Sequence, residues 1–112
     1  MSYDVSFKMM RKTDGADRWE YVGDEWINHT SNTAAMIKEV CGLYPSEWSG
    51  LKCADMYPVL VQGIKLLTEH PQRYKQFEPR NGWGNIETTK EFLQKIADNC
   101  REYPTATIEV DY

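Results

Sequence analysis

Histidine is the side chain best suited to moving a proton near neutral pH, and this chain has two, His29 and His70. His29 stands in Asn28-His29-Thr30-Ser31-Asn32, a run dense in hydrogen-bond donors and acceptors. A helix starting just after it would offer free amides to an anion; a plain capping loop would use the same residue types. His70 precedes Pro71 at the end of an apolar-periodic segment, where a cation suits the helix dipole. Cys41, Cys53 and Cys100 form no Cys-x-x-Cys and lie among apolar neighbours, so they read as buried, reduced thiols. Cys41 or Cys53 could be joined with His29 as nucleophile and base, but no neighbour marks either thiol as activated. Asp24-Glu25, and Glu102 with Glu109, lack an arranging motif for acid–base work. The spacing of Cys, His and carboxylates does not suit a metal. The expectation is a chain that is not an enzyme, holds no metal and needs no cofactor.

Asn81-Gly82-Trp83-Gly84 is the other conspicuous run. Its glycine spacing is wrong for a phosphate loop, and no lysine-serine step follows. It reads as a turn whose glycines permit unusual backbone angles, with Trp83 plugging a helical hairpin. Should the two polar runs converge, Asn28, Thr30, Asn32, Asn81 and Trp83 would line a pocket for a small ligand such as a nucleotide or signal molecule. The chain also carries four tryptophans, Trp19, Trp26, Trp48 and Trp83. A small core rarely encloses so many indoles, and exposed ones anchor interfaces. Tyr44 and Trp48 flank Pro45 in a loop and would either cover a core edge or form a contact surface. The contact surface expected for a protein partner is Tyr44, Trp48 and Trp83 with the acids Asp24, Glu25 and Glu47.

The elements that must position these residues follow from periodicity. Tyr3, Val5, Phe7 and Met9 alternate with polar residues, which is a half-buried strand. A turn cluster with Asp14-Gly15 leads into an aromatic-rich second strand over residues 19–27, with a kink or stop at Gly23-Asp24. Residues 33–41 form a short helix with Met36, Ile37 and Val40 inward, Ser31 or Asn32 as its cap and Gly42 as its stop. The second helix places Met56, Val59, Leu60, Gly63, Ile64 and Leu67 on one face. Asp55 as its cap would put Pro58 in the tolerated first turn. Gly63 costs such a helix about 1 kcal/mol, which a close approach of another element would offset. Residues 71–77 make a short extra turn with Tyr74 and Phe77 inward. The third helix starts at Asn85, or at Thr88 with Glu91 as a capping box, and buries Ile86, Phe92, Leu93, Ile96, Ala97 and Cys100. A last strand over residues 105–110 turns Ala106, Ile108 and Val110 inward. The fold class is therefore α+β: a three-stranded antiparallel sheet, made of the N-terminal hairpin and the C-terminal strand lying beside the first, with three helices packed on one face.

A chain of 112 residues supports one domain over 1–112 without staples. Its 41% hydrophobic and 27% charged residues place it with globular rather than disordered chains. The net charge of −4 and the scatter of its basic residues argue against direct nucleic-acid binding. With no signal-like or long apolar run, neither secretion nor membrane insertion is expected, and a cytoplasmic location is.

Asn28-His29-Thr30-Ser31-Asn32, Pro58, Pro71-Gln72-Arg73-Tyr74, Asn81-Gly82-Trp83-Gly84, Cys100 and the run from Pro104 to Val110 together resemble a family of short proteins encoded by phages, prophages and bacterial mobile elements. The likeness covers residues 28–110, with Asn-Gly-Trp-Gly its most specific piece. It implies a host-takeover or anti-defence factor, anti-CRISPR-like, and brings no catalytic residues with it. The function expected first is thus a non-enzymatic protein that engages a host protein, such as a defence nuclease complex. The alternative is the small-ligand or nucleotide-binding module. Oligomeric state is open at this point.

Overall fold

The computed structural model describes residues 2–112, with only the backbone of Thr13. Two long strands, β1 (Ser2–Thr13) and β2 (Ala16–Thr30), form an antiparallel hairpin. Its two-residue turn is Asp14-Gly15, both with positive φ (52° and 81°). That is the handedness matching the right-handed twist of the strands, and it is why Asp-Gly stands there. Then come α1 (Ala34–Cys41), α2 (Cys53–Glu69), the single turn α3 (Pro71–Tyr74), α4 (Ile86–Glu102) and β3 (Thr107–Asp111). The sheet order is β2-β1-β3, all antiparallel, so the last strand does lie beside the first. The class is α+β, but with four helices rather than three: Pro71 opens a helical turn of its own.

Alternation along β1 sorts the sheet's faces. Tyr3, Val5 and Phe7 join Ile108 and Val110 in the core with Met36, Ile37, Leu60, Leu67, Leu93 and Ile96 from the helices. Lys8, Met10 and Tyr21 point the other way. Beyond the last β3 pairing, at Lys8, the hairpin continues as two strands only. It contributes to a molecule 53 Å long and 18 Å thin.

Gly23-Asp24 kinks β2 rather than ending it. Val5 pairs with Ile27 but Phe7 pairs with Val22, so residues 23–26 bulge out. Gly23 and Trp26 both take positive φ there. A Cβ on Gly23 would collide with the Asn99 side-chain oxygen. Asn99, buried on α4, clamps the bulge: its oxygen accepts from the Asp24 amide at 2.9 Å and its nitrogen donates to the Asp24 carboxylate at 3.0 Å.

The helix starts differ from expectation in two places. α2 opens at Cys53, not after Asp55, because the Ala106 and Pro104 carbonyls accept from the Cys53 and Ala54 amides at 2.8 and 2.9 Å. Pro58 then falls in the second turn. α1 is entered through a 3-10 turn (Ser31–Thr33) capped by Thr30, whose hydroxyl accepts from the Asn32 amide, so neither Ser31 nor Asn32 is the cap. For α4 the choice falls on Asn85, which exchanges hydrogen bonds with Thr88 at both amides. Gly63 does sit at a close approach: a Cβ there would stand 2.7 Å from the Cys41 sulfur of α1.

Candidate functional site

The polar run 28–32 is the end of β2 and the turn into α1, and Thr30 within it is the cap of that turn. Asn28 donates to the Asp4 carboxylate at 2.9 Å, which ties it to β1. The second run, 81–84, connects the 3-10 turn Lys75–Phe77 to α4. An Asx turn shapes it, the Asn81 side-chain oxygen accepting from the Trp83 amide at 3.0 Å. Glu78 reaches forward to accept from the Ile86 amide, closing the base of the connection.

Gly84 brings the two runs together. Its φ is +95°, and a Cβ there would lie 2.7 Å from the Thr30 methyl and 2.8 Å from the Thr33 methyl. Only glycine lets the backbone pass this close. The result is an open cleft of about 830 Å³ lined by Ser2, Asn28, His29, Thr30, Asn32, Asn81, Trp83, Gly84 and Thr88. That volume lies within the roughly 300–1,000 Å³ of small-molecule sites. All five residues expected to line a pocket (Asn28, Thr30, Asn32, Asn81, Trp83) are in this set.

His29 forms part of the cleft's inner wall. It is buried, and one ring nitrogen is 2.7 Å from the Thr33 hydroxyl. Its ring stacks on Phe92 at 4.6 Å, and Phe92 stacks on Trp48 at 6.1 Å. Burial pulls the His29 pKa down to about 4, so the imidazole is neutral at pH 7. Among the described residues of the lining none then carries a charge. The Asn32 carboxamide and the Asn81 side-chain nitrogen have no protein partner among the described residues, and so are available to a guest.

The thiols do not join this site. Burial pushes Cys41 up to about 12. The Cys53 and Cys100 thiols are hydrogen-bonded to each other, which lowers Cys53 and, together with burial, raises Cys100. His29 finds its contacts in Thr33 and Phe92 instead. Among the described residues no three of His, Cys, Asp or Glu gather where a metal could be held.

The expected protein-contact set is dispersed. Trp48 is 0% exposed and belongs to the core, because its indole is the inner end of the aromatic stack on Phe92. Trp83 is 67% exposed and plugs nothing; the bend between helices is held by Glu78, Asn85 and Gly84. Tyr44 is half-exposed, with Lys38 Nζ 5.6 Å over its ring. Glu47 is engaged locally, accepting from the Tyr44 amide at 2.7 Å. Asp24 is held by Asn99, with Glu25 and Trp26 exposed beside it.

Two structural residues escaped the sequence reading, Asn99 and Gly84. Asn99 falls on the apolar stripe of α4, one position before Cys100, and an asparagine so placed is a buried polar group in need of partners. No signal of that kind distinguishes Gly84 from Gly82. No family, curated protein or solved structure matches the chain. Among the described residues no helix is long and apolar enough to cross a membrane.

Proposed function

We propose that the chain is a small-ligand-binding module and that the cleft between residues 28–32 and 81–84 is its site. What carries the reading is the convergence of two polar runs, 50 residues apart in sequence, on one concavity whose lining is uncharged. The Asn32 carboxamide and the Asn81 side-chain nitrogen can pair with hydroxyls or with the edge of a base. The exposed Trp83 indole offers a face for a flat ring. Among the described lining residues there is no cation to hold a phosphate and no carboxylate to hold an amine. The ligand class that fits is neutral, polar and ring-bearing: a nucleoside or a saccharide. Thermal-shift measurements against neutral nucleosides and against mono- and oligosaccharides separate the two kinds. The expected result is stabilisation by one class, lost in Asn32→Ala and Trp83→Ala, whose exposed side chains leave the core intact. No stabilisation by either class, or equal stabilisation of the variants, contradicts the reading.

A second reading keeps the host-protein partner, in the anti-defence setting of phage proteins. It rests on Trp26, exposed at the β2 bulge between the acids Asp24 and Glu25 and Ile27 of the core. Affinity capture with the wild-type chain and Trp26→Ala side by side tests it. A stoichiometric partner present with the first and absent with the second is expected; no difference between the two ends it.

A further inference from the structure

The hairpin arm beyond Lys8 is built unlike the rest of the molecule. Among residues 9–20, none whose side chain is described is buried, and only two strands make the arm. Two-stranded ribbons without a packed face are marginal in water. Met10, Trp19 and Tyr21 nevertheless stand on its outer face, Trp19 54% exposed. β2 is also an edge of the sheet. Proteins blunt such edges with prolines, inward charges or bulges. Here the bulge at residues 23–26 turns the far half of the edge away; residues 16–22 carry neither bulge nor proline, and their inward charges are Arg18 and Glu20, on the face shared with Val22.

The hairpin geometry says which groups that edge presents. In a hairpin closed by a two-residue turn, Thr13 and Ala16 are the hydrogen-bonded pair next to the turn. Alternation then makes Trp19, opposite Met10, a non-hydrogen-bonded residue with respect to β1. The amides and carbonyls of Asp17, Trp19 and Tyr21 therefore point outward, ready for another strand.

We propose that this strand is the same stretch of a second copy of the chain, paired antiparallel about a two-fold axis at Trp19. The sequence around that residue is self-complementary. With Trp19 opposite its own mate, Arg18 falls opposite Glu20 of the other copy and Glu20 opposite Arg18, twice by symmetry. Ala16 meets Val22 and Asp17 meets Tyr21 in the same register. Within one chain Arg18 lies opposite Arg11, like charge to like, and Glu20 already reaches Arg11 at 3.5 Å; Glu20 of the other copy would set an acid on the open side of Arg18 as well. The two indoles meet side by side on the outer face, and two marginal ribbons become one four-stranded sheet. The arm thus has a partner of stated shape and charge, at a distance from the cleft, and the pairing stands whether or not the cleft binds a ligand.

Sedimentation of four samples tests it over a hundredfold concentration range: wild type, Arg18→Glu, Glu20→Arg, and an equimolar mixture of the two variants. Wild type is expected to be dimeric. Each single variant places like charges across the axis twice and is expected to dissociate about tenfold more readily. In the mixture each Glu meets an Arg again, so the two variants are expected to form a heterodimer. Arg18→Glu faces Arg11 within its own chain, while Glu20→Arg loses its ion pair with Arg11; circular dichroism of both variants checks that the fold is retained. A monomeric wild type overturns the proposal and leaves the edge to a strand from some other protein. A dimer indifferent to both variants, or a mixture that does not associate, overturns it as well.

Discussion

At the scale of single residues, His29 is the group whose chemistry differs most from its free state. Its pKa is near 4 in the fold and about 6.5 in the unfolded chain, because burial penalises the charged ring. Protons therefore bind the unfolded state first. The contribution is fully present above pH 6.5 and is lost as pH falls from 6.5 toward 4. Melting temperature measured between pH 7 and pH 4.5 is expected to fall in wild type and to fall less in His29→Gln, which cannot titrate. Asn99 makes a second residue-level prediction. Asn99→Ala removes three hydrogen bonds, to the Asp24 amide, the Asp24 carboxylate and the Lys95 carbonyl. A loss of about 2 kcal/mol in chemical denaturation is expected, with faster amide exchange in the bulge. A loss below a few tenths would show that the bulge holds itself.

At the scale of elements, α1 and α2 meet where Gly63 faces Val40 and Cys41. Gly63→Ala improves helix propensity by about 1 kcal/mol but places a methyl only 2.7 Å from the Cys41 sulfur. The packing term is expected to win, with net destabilisation of about 1 kcal/mol. Adding Cys41→Ala opens that space, so the double variant is expected to recover stability relative to Cys41→Ala alone. A Gly63→Ala single variant more stable than wild type would contradict the close approach. The strands, the helix stripes and the closeness at Gly63 were legible because each is written locally: period two from Tyr3 to Met9, period 3.6 from Met56 and from Ile86, a costly glycine amid an apolar face. Helix starts were less so. The cap of α2 is supplied by carbonyls of Pro104 and Ala106, some 50 residues away, and no local pattern announces them.

At the scale of the whole molecule, the same distinction separates the two site expectations. The pocket residues came from composition, two polar runs each rich in asparagine, and the fold brought those runs together through the Gly84 contact. The docking surface came from counting indoles, which tells how many exceed the core and not which ones. Trp48 is the indole the core keeps, since it alone continues the stack from His29 through Phe92. Gly84→Ala is the molecule-scale test of how the cleft is built. Its methyl would push Thr30 and Thr33 aside, so ligand stabilisation is expected to disappear while the α2–α4 core still melts cooperatively. Unchanged ligand response would separate the cleft from the Gly84 contact.

The proposed site holds a neutral, ring-bearing ligand between Asn32 and Trp83. The most direct measurement is a titration of the isotope-labelled chain with nucleosides and saccharides, followed by amide and indole N–H shifts. Saturable shifts confined to Thr30, Asn32, Trp83, Gly84 and Thr88 are predicted for one of the two classes. Shifts that saturate elsewhere in the molecule, or none with either class, would contradict it.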